Sequence, residues 1–146
     1  MIKSGLSYSI NDLSSNIEAL TAQIVLKGRR LTIVNMYVPP NSEFIAEEYR
    51  NLISKPNSLI VGDFNSYSPL WGANKTDQRG KALEDLIEQY NLCILNNGQG
   101  THIKHRGGLS PIDLSLASNN LALKCNWKVS SDSLGSDHYP ILISID

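Results

Sequence analysis

Short apolar runs that end abruptly in polar residues constrain the fold of this chain more than any other feature. Ser58-Leu59-Ile60-Val61 is followed at once by Gly62-Asp63, which predicts a buried strand that delivers a carboxylate to a sheet edge. Three other motifs of this kind are Tyr37-Val38-Pro39-Pro40, Ser110-Pro111-Ile112-Asp113-Leu114 and Ser136-Asp137-His138-Tyr139-Pro140. Unpaired polar groups near a core cost about 1–3 kcal/mol each. Strands that end in Asp, Asn or His therefore predict a shared polar site.

The remaining hydrophobic pattern predicts a layered α/β domain with a mixed sheet. Ile17–Leu26 and Leu31–Val38 are β-branched-rich runs that flank Lys27-Gly28-Arg29-Arg30, a combination typical of a β-hairpin. Apolar spacing at i, i+3, i+4 and i+7 predicts amphipathic helices over Phe44–Ser54 and Gly80–Tyr90. Further strands are predicted at Leu92–Leu95, Ile112–Ala117, Trp127–Val129 and Ile141–Ile145. Six or seven strands and two helices then form a single domain over residues 1–146.

Composition excludes several classes of protein. The 146 residues carry 13 Lys plus Arg against 14 Asp plus Glu, a net charge of −1, which argues against nucleic-acid binding by overall charge. Nothing approaches the roughly 20 consecutive apolar residues of a membrane-spanning helix, so no membrane association is expected. The two cysteines, Cys93 and Cys125, are too few for a disulfide scaffold and too far apart for a CxxC zinc site. We expect a reducing, intracellular location.

The four motifs, in this order, resemble the endonuclease/exonuclease/phosphatase family. The stretches GDFNSYSPLWG, SPIDLSLAS and SDHYPI are most similar to the endonuclease domains of non-LTR retrotransposons. This resemblance implies a two-layer β-sandwich flanked by helices. It also implies a metal-dependent hydrolase that nicks target DNA, with a reverse transcriptase as partner in the full element and a nuclear location if the chain acts on DNA.

The resemblance also implies roles for individual residues. Asp63 would position or deprotonate the attacking water, Asn65 would donate to a phosphate oxygen, and Tyr37 would lie within reach of that oxygen. Asp137 would help to hold Mg²⁺ or Mn²⁺, the cations that carboxylate and phosphate oxygens favour. His138 is the natural proton-handling group or phosphate contact, because the reference pKa of histidine is about 6.5. Asp113 would fix its tautomer and ring direction.

Several other residues allow two interpretations. Trp71 either covers the core or stacks on DNA near the cut. A set of basic residues either contacts phosphates or belongs to solvated loops; it comprises Lys27, Arg29, Arg30, Lys104, His105 and Arg106. His102 and His105 form an HxxH pattern that we expect to be a loop, because glycines follow it and no cysteine lies near.

One part of the family pattern is not found. The family has an Asn on its first strand and a Glu on a following strand, both at the metal; neither precedes Ile17, and Glu18 has a different sequence context. We therefore expect the first strands of the fold to be missing from residues 1–146 and the chain alone to nick DNA weakly or not at all. Two alternatives stay open: an abasic-site repair nuclease or phosphoesterase of the same family, and a non-catalytic remnant that acts as a binding module.

Overall fold

A mixed six-stranded sheet organises the part of the chain that the structure, a computed structural model, describes: residues 8–12 and 17–146. The strands are β1 (Tyr8–Asp12), β2 (Glu18–Leu26), β3 (Arg29–Tyr37), β4 (Ser58–Asp63), β5 (Leu92–Ile94), β6 (His102–Ile103), β7 (Leu109–Ser110), β8 (Asp113–Ser118), β9 (Cys125–Val129) and β10 (Ile141–Ile145). The helices are α1 (Ala46–Ile53), α2 (Gln78–Gln89) and the short α3 (Asn119–Ala122), with a 3-10 turn at Pro69–Trp71.

The central sheet has the strand order β1-β2-β3-β4-β8-β5. β2 and β3 form an antiparallel hairpin, whose turn places Lys27 and Gly28 at φ 50° and 76°. Because two successive residues take positive φ there, the turn matches the right-handed twist of the strands. β4 runs parallel to β3, to which α1 connects it, and antiparallel to β8. β4 thus lies in the interior of the sheet.

Each face of this sheet is covered by a different layer. On one face, α1 and α2 pack over the larger core, in which Val34, Ile60, Leu83 and Leu114 are fully buried. On the other face, the antiparallel pair β9–β10 sets Ile143 and Ile145 against a smaller apolar cluster. A hydrogen bond of 3.0 Å from Trp127 Nε1 to Ser115 Oγ ties β9 to β8. The predicted sandwich of two sheets flanked by helices is confirmed.

Most of the predicted elements are present, with shifted ends. The hairpin and the strands at β4, β5, β8, β9 and β10 are confirmed. The first predicted helix is shorter than expected, Ala46–Ile53, and the second begins earlier, at Gln78, because Asp77 caps it by accepting from the backbone N–H of Gly80. β1, β6, β7 and α3 were not predicted. β6, β7 and α3 are two to four residues long, too short to show a hydrophobic period.

Two compositional expectations can be compared with the structure. Among the described residues, no helix is both long enough and apolar enough to cross a membrane. Cys93 and Cys125 are both free thiols and are partly buried.

Candidate active site

Three strand ends meet at one edge of the central sheet. Asp63, the last residue of β4, is the register partner of Tyr37 at the end of β3 and of Asp113 at the start of β8. The backbone also continues this pairing beyond the strands, because Val38 N donates to Asp63 O at 2.9 Å and Phe64 N donates to Ile112 O at 3.0 Å. The predicted convergence of Tyr37, Asp63 and Asp113 is therefore built into the sheet register.

The turn after β4 depends on two backbone conformations. A Cβ at Gly62, whose φ is +148°, would lie 1.8 Å from the carbonyl oxygen of Met36, so only glycine fits between β3 and β4 there. Asn65 has a φ of 44°, in the left-handed region that asparagine tolerates better than most residues. These two residues turn the chain so that Asp63 and Asn65 lie side by side.

The side chain of Asn65 holds the Asp63 carboxylate. The backbone N–H of Asn65 donates to Asp63 Oδ1 at 2.9 Å, and Asn65 Nδ2 donates to Asp63 Oδ2 and to the carbonyl oxygen of Val38, both at 3.1 Å. Both amide hydrogens of Asn65 are therefore used inside the protein. In this structure these bonds position the Asp63 carboxylate. Donation from Asn65 to a phosphate oxygen would require one of the bonds from Nδ2 to break, and it stays a prediction.

Arg79 on α2, which the sequence did not single out, supports the same loops. Its guanidinium donates to the backbone oxygens of two segments, the one after β3 and the one after β4, at 2.6–3.4 Å. The acceptors are Phe64, Asn65, Pro39, Pro40 and Ser42. A planar fork of five N–H donors suits this task, since it can bind several carbonyls at fixed angles.

Asp113 binds His138, as the sequence predicted. His138 Nδ1 lies 3.0 Å from Asp113 Oδ1 and 2.9 Å from Oδ2. Because an ionised carboxylate only accepts hydrogen bonds, the proton lies on Nδ1 and Nε2 is the ring nitrogen left free. Thr101, which is fully buried, donates its hydroxyl to Asp113 Oδ2 at 2.6 Å and accepts from the Asp113 backbone N–H at 3.2 Å. Thr101 is a second site residue that sequence reasoning missed.

The β6–β7 hairpin brings a further histidine to this edge. His102 on β6 forms an antiparallel bridge with His138, and the two ring centroids lie 4.6 Å apart. His102 Nδ1 is 3.0 Å from Ser110 Oγ on β7. The loop interpretation of HxxH is therefore right for His105, which is exposed in the turn, and wrong for His102. Gly107 and Gly108, which suggested a loop, form the turn with φ of 86° and 82°.

The environment of Asp63 raises its pKa. Burial is the largest cause and raises the pKa of this carboxyl above its ordinary value of 3.8; the hydrogen bond from the Asn65 backbone lowers it, the charge of Asp113 raises it, and the imidazoles of His138 and His102 lower it. The net shift is upward. A carboxylate whose ionised form is made less favourable by burial is a stronger base, which suits a group that takes a proton from water.

A family model described as "Endonuclease-reverse transcriptase" matches residues 31–142. The chain belongs to this family, within the endonuclease/exonuclease/phosphatase group. The match includes every polar motif of the edge, from Tyr37 to His138.

The chain is similar to proteins of mobile elements. The chain is 30% identical, over 76% of its length, to the probable RNA-directed DNA polymerase from transposon X-element of Drosophila melanogaster. It is 25% identical, over 97% of its length, to the RNA-directed DNA polymerase from mobile element jockey of the same organism. The chain spans only 13% and 16% of the lengths of these two relatives.

Solved structures show the same endonuclease fold. The endonuclease domain of TRAS1, a telomere-specific non-LTR retrotransposon, superposes with a TM-score of 0.83 at 24% identity, over 97% of this chain and 67% of that one. The AP endonuclease LMAP from Leishmania major superposes with a TM-score of 0.71 at 14% identity, over 94% of this chain and 61% of that one.

Trp71 does not belong to the surface of this candidate site. Its side chain has no exposed area, and its Nε1 donates to the carbonyl oxygen of Ser66 at 3.1 Å. Of the two interpretations of Trp71, the structure supports the core and contradicts stacking on DNA.

The basic residues divide between the two ends of the sheet. Lys104 and Arg106 are exposed in the turn of the β6–β7 hairpin, which begins at His102 beside the site. Arg29 and Arg30 open β3, whereas Tyr37 closes it; eight residues at about 3.4 Å each separate Arg29 from this edge by roughly 27 Å. Arg29 and Arg30 therefore lie at the opposite end of β3 from the site, and their contact with DNA phosphates stays a prediction.

The oxygen donors at this edge fit a hard divalent cation such as Mg²⁺. Asp137 is 74% exposed, and among the described residues its carboxylate makes two long contacts, at 3.5 Å from Ser136 Oγ to Oδ1 and at 4.0 Å from His102 Nε2 to Oδ2, so it is open to an ion. Ligand atoms of Asp63, Asp113 and His138 also lie within 4.8 Å of one another. Asp113 is committed to His138 and Thr101, and Asp63 to Asn65, so Asp137 is the better oxygen ligand.

Proposed function

We propose that this chain hydrolyses phosphodiester bonds as a metal-dependent DNA endonuclease of the retrotransposon type, which nicks target DNA. The observation that carries the proposal is the Asp113–His138 pair, with His138 Nδ1 2.9 Å from Asp113 Oδ2, placed one strand from Asp63. Membership in the endonuclease-reverse transcriptase family supports it. We also propose a reverse transcriptase partner, which the mobile-element relatives support, and a nuclear place of action if the substrate is DNA.

In the proposed reaction, Asp63, His138, Asp113 and Tyr37 have different roles. Asp63 takes a proton from water, whose oxygen then attacks phosphorus; its raised pKa favours this transfer. The Nε2 of His138 faces the phosphate, where the protonated ring stabilises the charge that develops on its oxygens, and Asp113 compensates the imidazolium. The bond from phosphorus to the leaving 3′ oxygen breaks, its electron pair stays on that oxygen, and the oxygen takes a proton from Nε2 of the His138 imidazolium. Tyr37, 43% exposed at the end of β3, lies where its hydroxyl can donate to a phosphate oxygen.

Mg²⁺ or Mn²⁺ held by Asp137 would neutralise phosphate charge at this edge. Asp137 is the carboxylate that the rest of the site leaves uncommitted. Mg²⁺ prefers six oxygens, and a protein usually supplies one or two carboxylates. We therefore expect weak binding of the cation and slow nicking by this chain.

Lys104 and Arg106 supply the electrostatic attraction to DNA. Both are exposed in the hairpin turn, so contacts with backbone phosphates there would position the duplex without reading its sequence. The net charge of −1 agrees with an interface made by few cations.

The test is nicking of supercoiled plasmid by the purified chain in millimolar Mg²⁺ and in Mn²⁺. We expect slow conversion to open circle that EDTA abolishes and that Asp63→Ala lowers by at least about 10²-fold. Nicking that Asp63→Ala leaves unchanged would contradict the proposal. A folded chain that binds DNA but does not nick it in either metal would support the binding-module alternative, and strong preference for an abasic duplex would support a repair nuclease.

A further inference from the structure

His102, Asp137 and His138 form a cluster that phosphodiester hydrolysis does not require as a unit. One ligand atom from each residue lies within 4.8 Å of the others. The Nε2 of His102 is 4.0 Å from Asp137 Oδ2, and the His102 and His138 ring centroids are 4.6 Å apart. Two imidazoles and one carboxylate are donors that suit Zn²⁺ and similar transition metals, whereas Mg²⁺ prefers oxygen alone.

The backbone fixes the two histidines opposite each other. His102 and His138 are bridge partners on antiparallel segments. Hydrogen bonds of 2.7 Å flank this bridge on both sides, from Ile103 N to Asp137 O and from Tyr139 N to Thr101 O. The spacing of the two imidazoles is therefore set by the fold and needs no rearrangement of the chain when an ion binds.

Each histidine also has a partner for its other ring nitrogen. Ser110 Oγ lies 3.0 Å from His102 Nδ1, and Asp113 Oδ2 lies 2.9 Å from His138 Nδ1. Histidines that bind metals almost always use their second nitrogen in this way, because the bond fixes the tautomer and ring direction. Both Nε2 atoms are thus left for a ligand, on side chains that are 24% and 33% exposed.

We propose that His102, Asp137 and His138 bind a zinc-class divalent cation, with water as the fourth ligand, and that the bound cation inhibits the endonuclease. Metal–ligand bonds of about 2.0–2.1 Å place tetrahedral ligands about 3.3 Å apart, so the donors must close by up to about 1.5 Å. Asp137 supplies that movement, since its side chain is 74% exposed. The inhibition rests on the proposed function: the cation occupies Nε2 of His138 and the carboxylate of Asp137.

The binding test uses the metal-free 146-residue chain at pH 7.5 without DNA. Calorimetry with Zn²⁺ and visible absorption with Co²⁺ should give one equivalent and the strong bands of a four-coordinate ion. His102→Ala and Asp137→Ala should weaken binding by at least about 100-fold, and Ser110→Ala by about 10-fold. His105→Ala, three residues along the same hairpin, is the matched control and should bind as the wild type does; circular dichroism verifies that each variant is folded.

The free thiols of Cys93 and Cys125 are the rival zinc ligands. The double variant Cys93→Ser/Cys125→Ser should bind Zn²⁺ with unchanged affinity. The proposed site is overturned if His102→Ala and Asp137→Ala both bind Zn²⁺ as tightly as the wild type does. It is also overturned if the double cysteine variant loses Zn²⁺ binding.

The inhibition test adds micromolar Zn²⁺ to plasmid nicking in Mg²⁺. We expect Zn²⁺ to stop nicking by the wild type. The Zn²⁺ concentration that inhibits His102→Ala should be at least 10-fold higher. Zinc binding that depends on His102 but leaves nicking unchanged would support the cation site and overturn its inhibitory role. A chain that binds zinc in this way but never nicks DNA contradicts the proposed function and not the site.

Discussion

Asp63 on β4 and Asp113 on β8 are register partners, which places two carboxylates next to each other at the sheet edge. Each is held by its own donors: Asn65 binds Asp63, and Thr101 and His138 bind Asp113. The two carboxylates therefore have different hydrogen-bond partners, which suits different roles. We propose that Asp63 takes the proton from water and that Asp113 orients the imidazole.

The raised pKa of Asp63 predicts the pH dependence of nicking. The reaction requires the ionised carboxylate, so the rate should fall with decreasing pH through a midpoint above 3.8, the ordinary value for this group. A rate profile from pH 4 to 8 in constant Mn²⁺ measures that midpoint. A rate that stays constant down to the ordinary carboxyl range would contradict the role of Asp63 as base.

The same shift predicts an effect on stability. The folded state keeps the Asp63 proton to a higher pH than the unfolded state, so the contribution of this group to the free energy of unfolding is largest below pH 3.8 and falls as pH rises through the raised pKa. Urea unfolding of the wild type and of Asp63→Ala across this pH window should give different slopes of the free energy of unfolding against pH. The decrease that Asp63 contributes should be absent from the variant. Parallel pH profiles would show that Asp63 is not shifted.

Asp113→Asn should lower nicking by at least about 10²-fold. An asparagine offers an amide that can present its N–H₂ to His138 Nδ1, which favours the wrong tautomer and leaves the imidazolium uncompensated. We expect the fold to persist, because the side chains differ little in shape. Circular dichroism and single-turnover nicking measure both effects, and wild-type nicking by a folded Asp113→Asn would contradict the orienting role.

Thr101→Val should weaken the site through Asp113. The substitution keeps the shape of the side chain but removes the hydroxyl that donates to Asp113 Oδ2 and accepts from the Asp113 N–H. Leaving these buried groups unpaired should cost about 1–3 kcal/mol of stability and reduce nicking. Thr101→Ser retains the hydroxyl and is the matched control. Equal unfolding midpoints for Thr101→Val and Thr101→Ser would show that the hydroxyl is unimportant.

Arg79→Lys should slow nicking and lower the thermal unfolding midpoint. Lysine keeps the charge but loses the fork that holds five backbone oxygens after β3 and β4. Lys81→Ala on the same helix is the control, since Lys81 is 64% exposed and pairs with exposed Asp85 at 2.9 Å, a contact worth little. If Arg79→Lys and Lys81→Ala have the same Tm, the role of Arg79 in supporting the loops after β3 and β4 is contradicted.

The sequence is a good guide to the strands that carry the site. The strand that ends at Asp63 and the strand that begins at Asp113 can both be located from the sequence. At each of them a strand-like apolar run and an abrupt change in polarity coincide. The pairing of Asp113 with His138 follows from chemistry, since a carboxylate within a strand needs a partner. Family motifs then place both residues at one edge.

Other parts of the site have no comparable signal. His102 lies on a two-residue strand, too short for alternation to appear, and its bridge to His138 joins segments 36 residues apart (138 minus 102). Arg79 acts through backbone oxygens, which every residue has, so no motif marks its partners. Trp71 shows the reverse problem: a tryptophan beside glycine is compatible with both surface and core, and only packing decides between them.

The most direct test of the account is plasmid nicking by His138→Ala and His105→Ala, measured side by side in Mn²⁺ with equal amounts of folded protein. His138 is bound to Asp113, whereas His105 is exposed in the hairpin turn. Comparison of the two variants therefore distinguishes a specific effect of losing His138 from the effect of removing any histidine near the site. We predict that His138→Ala nicks at least about 10²-fold more slowly than the wild type and that His105→Ala stays within a few-fold of it. Equal rates for the two variants would contradict the assignment of this sheet edge as the active site.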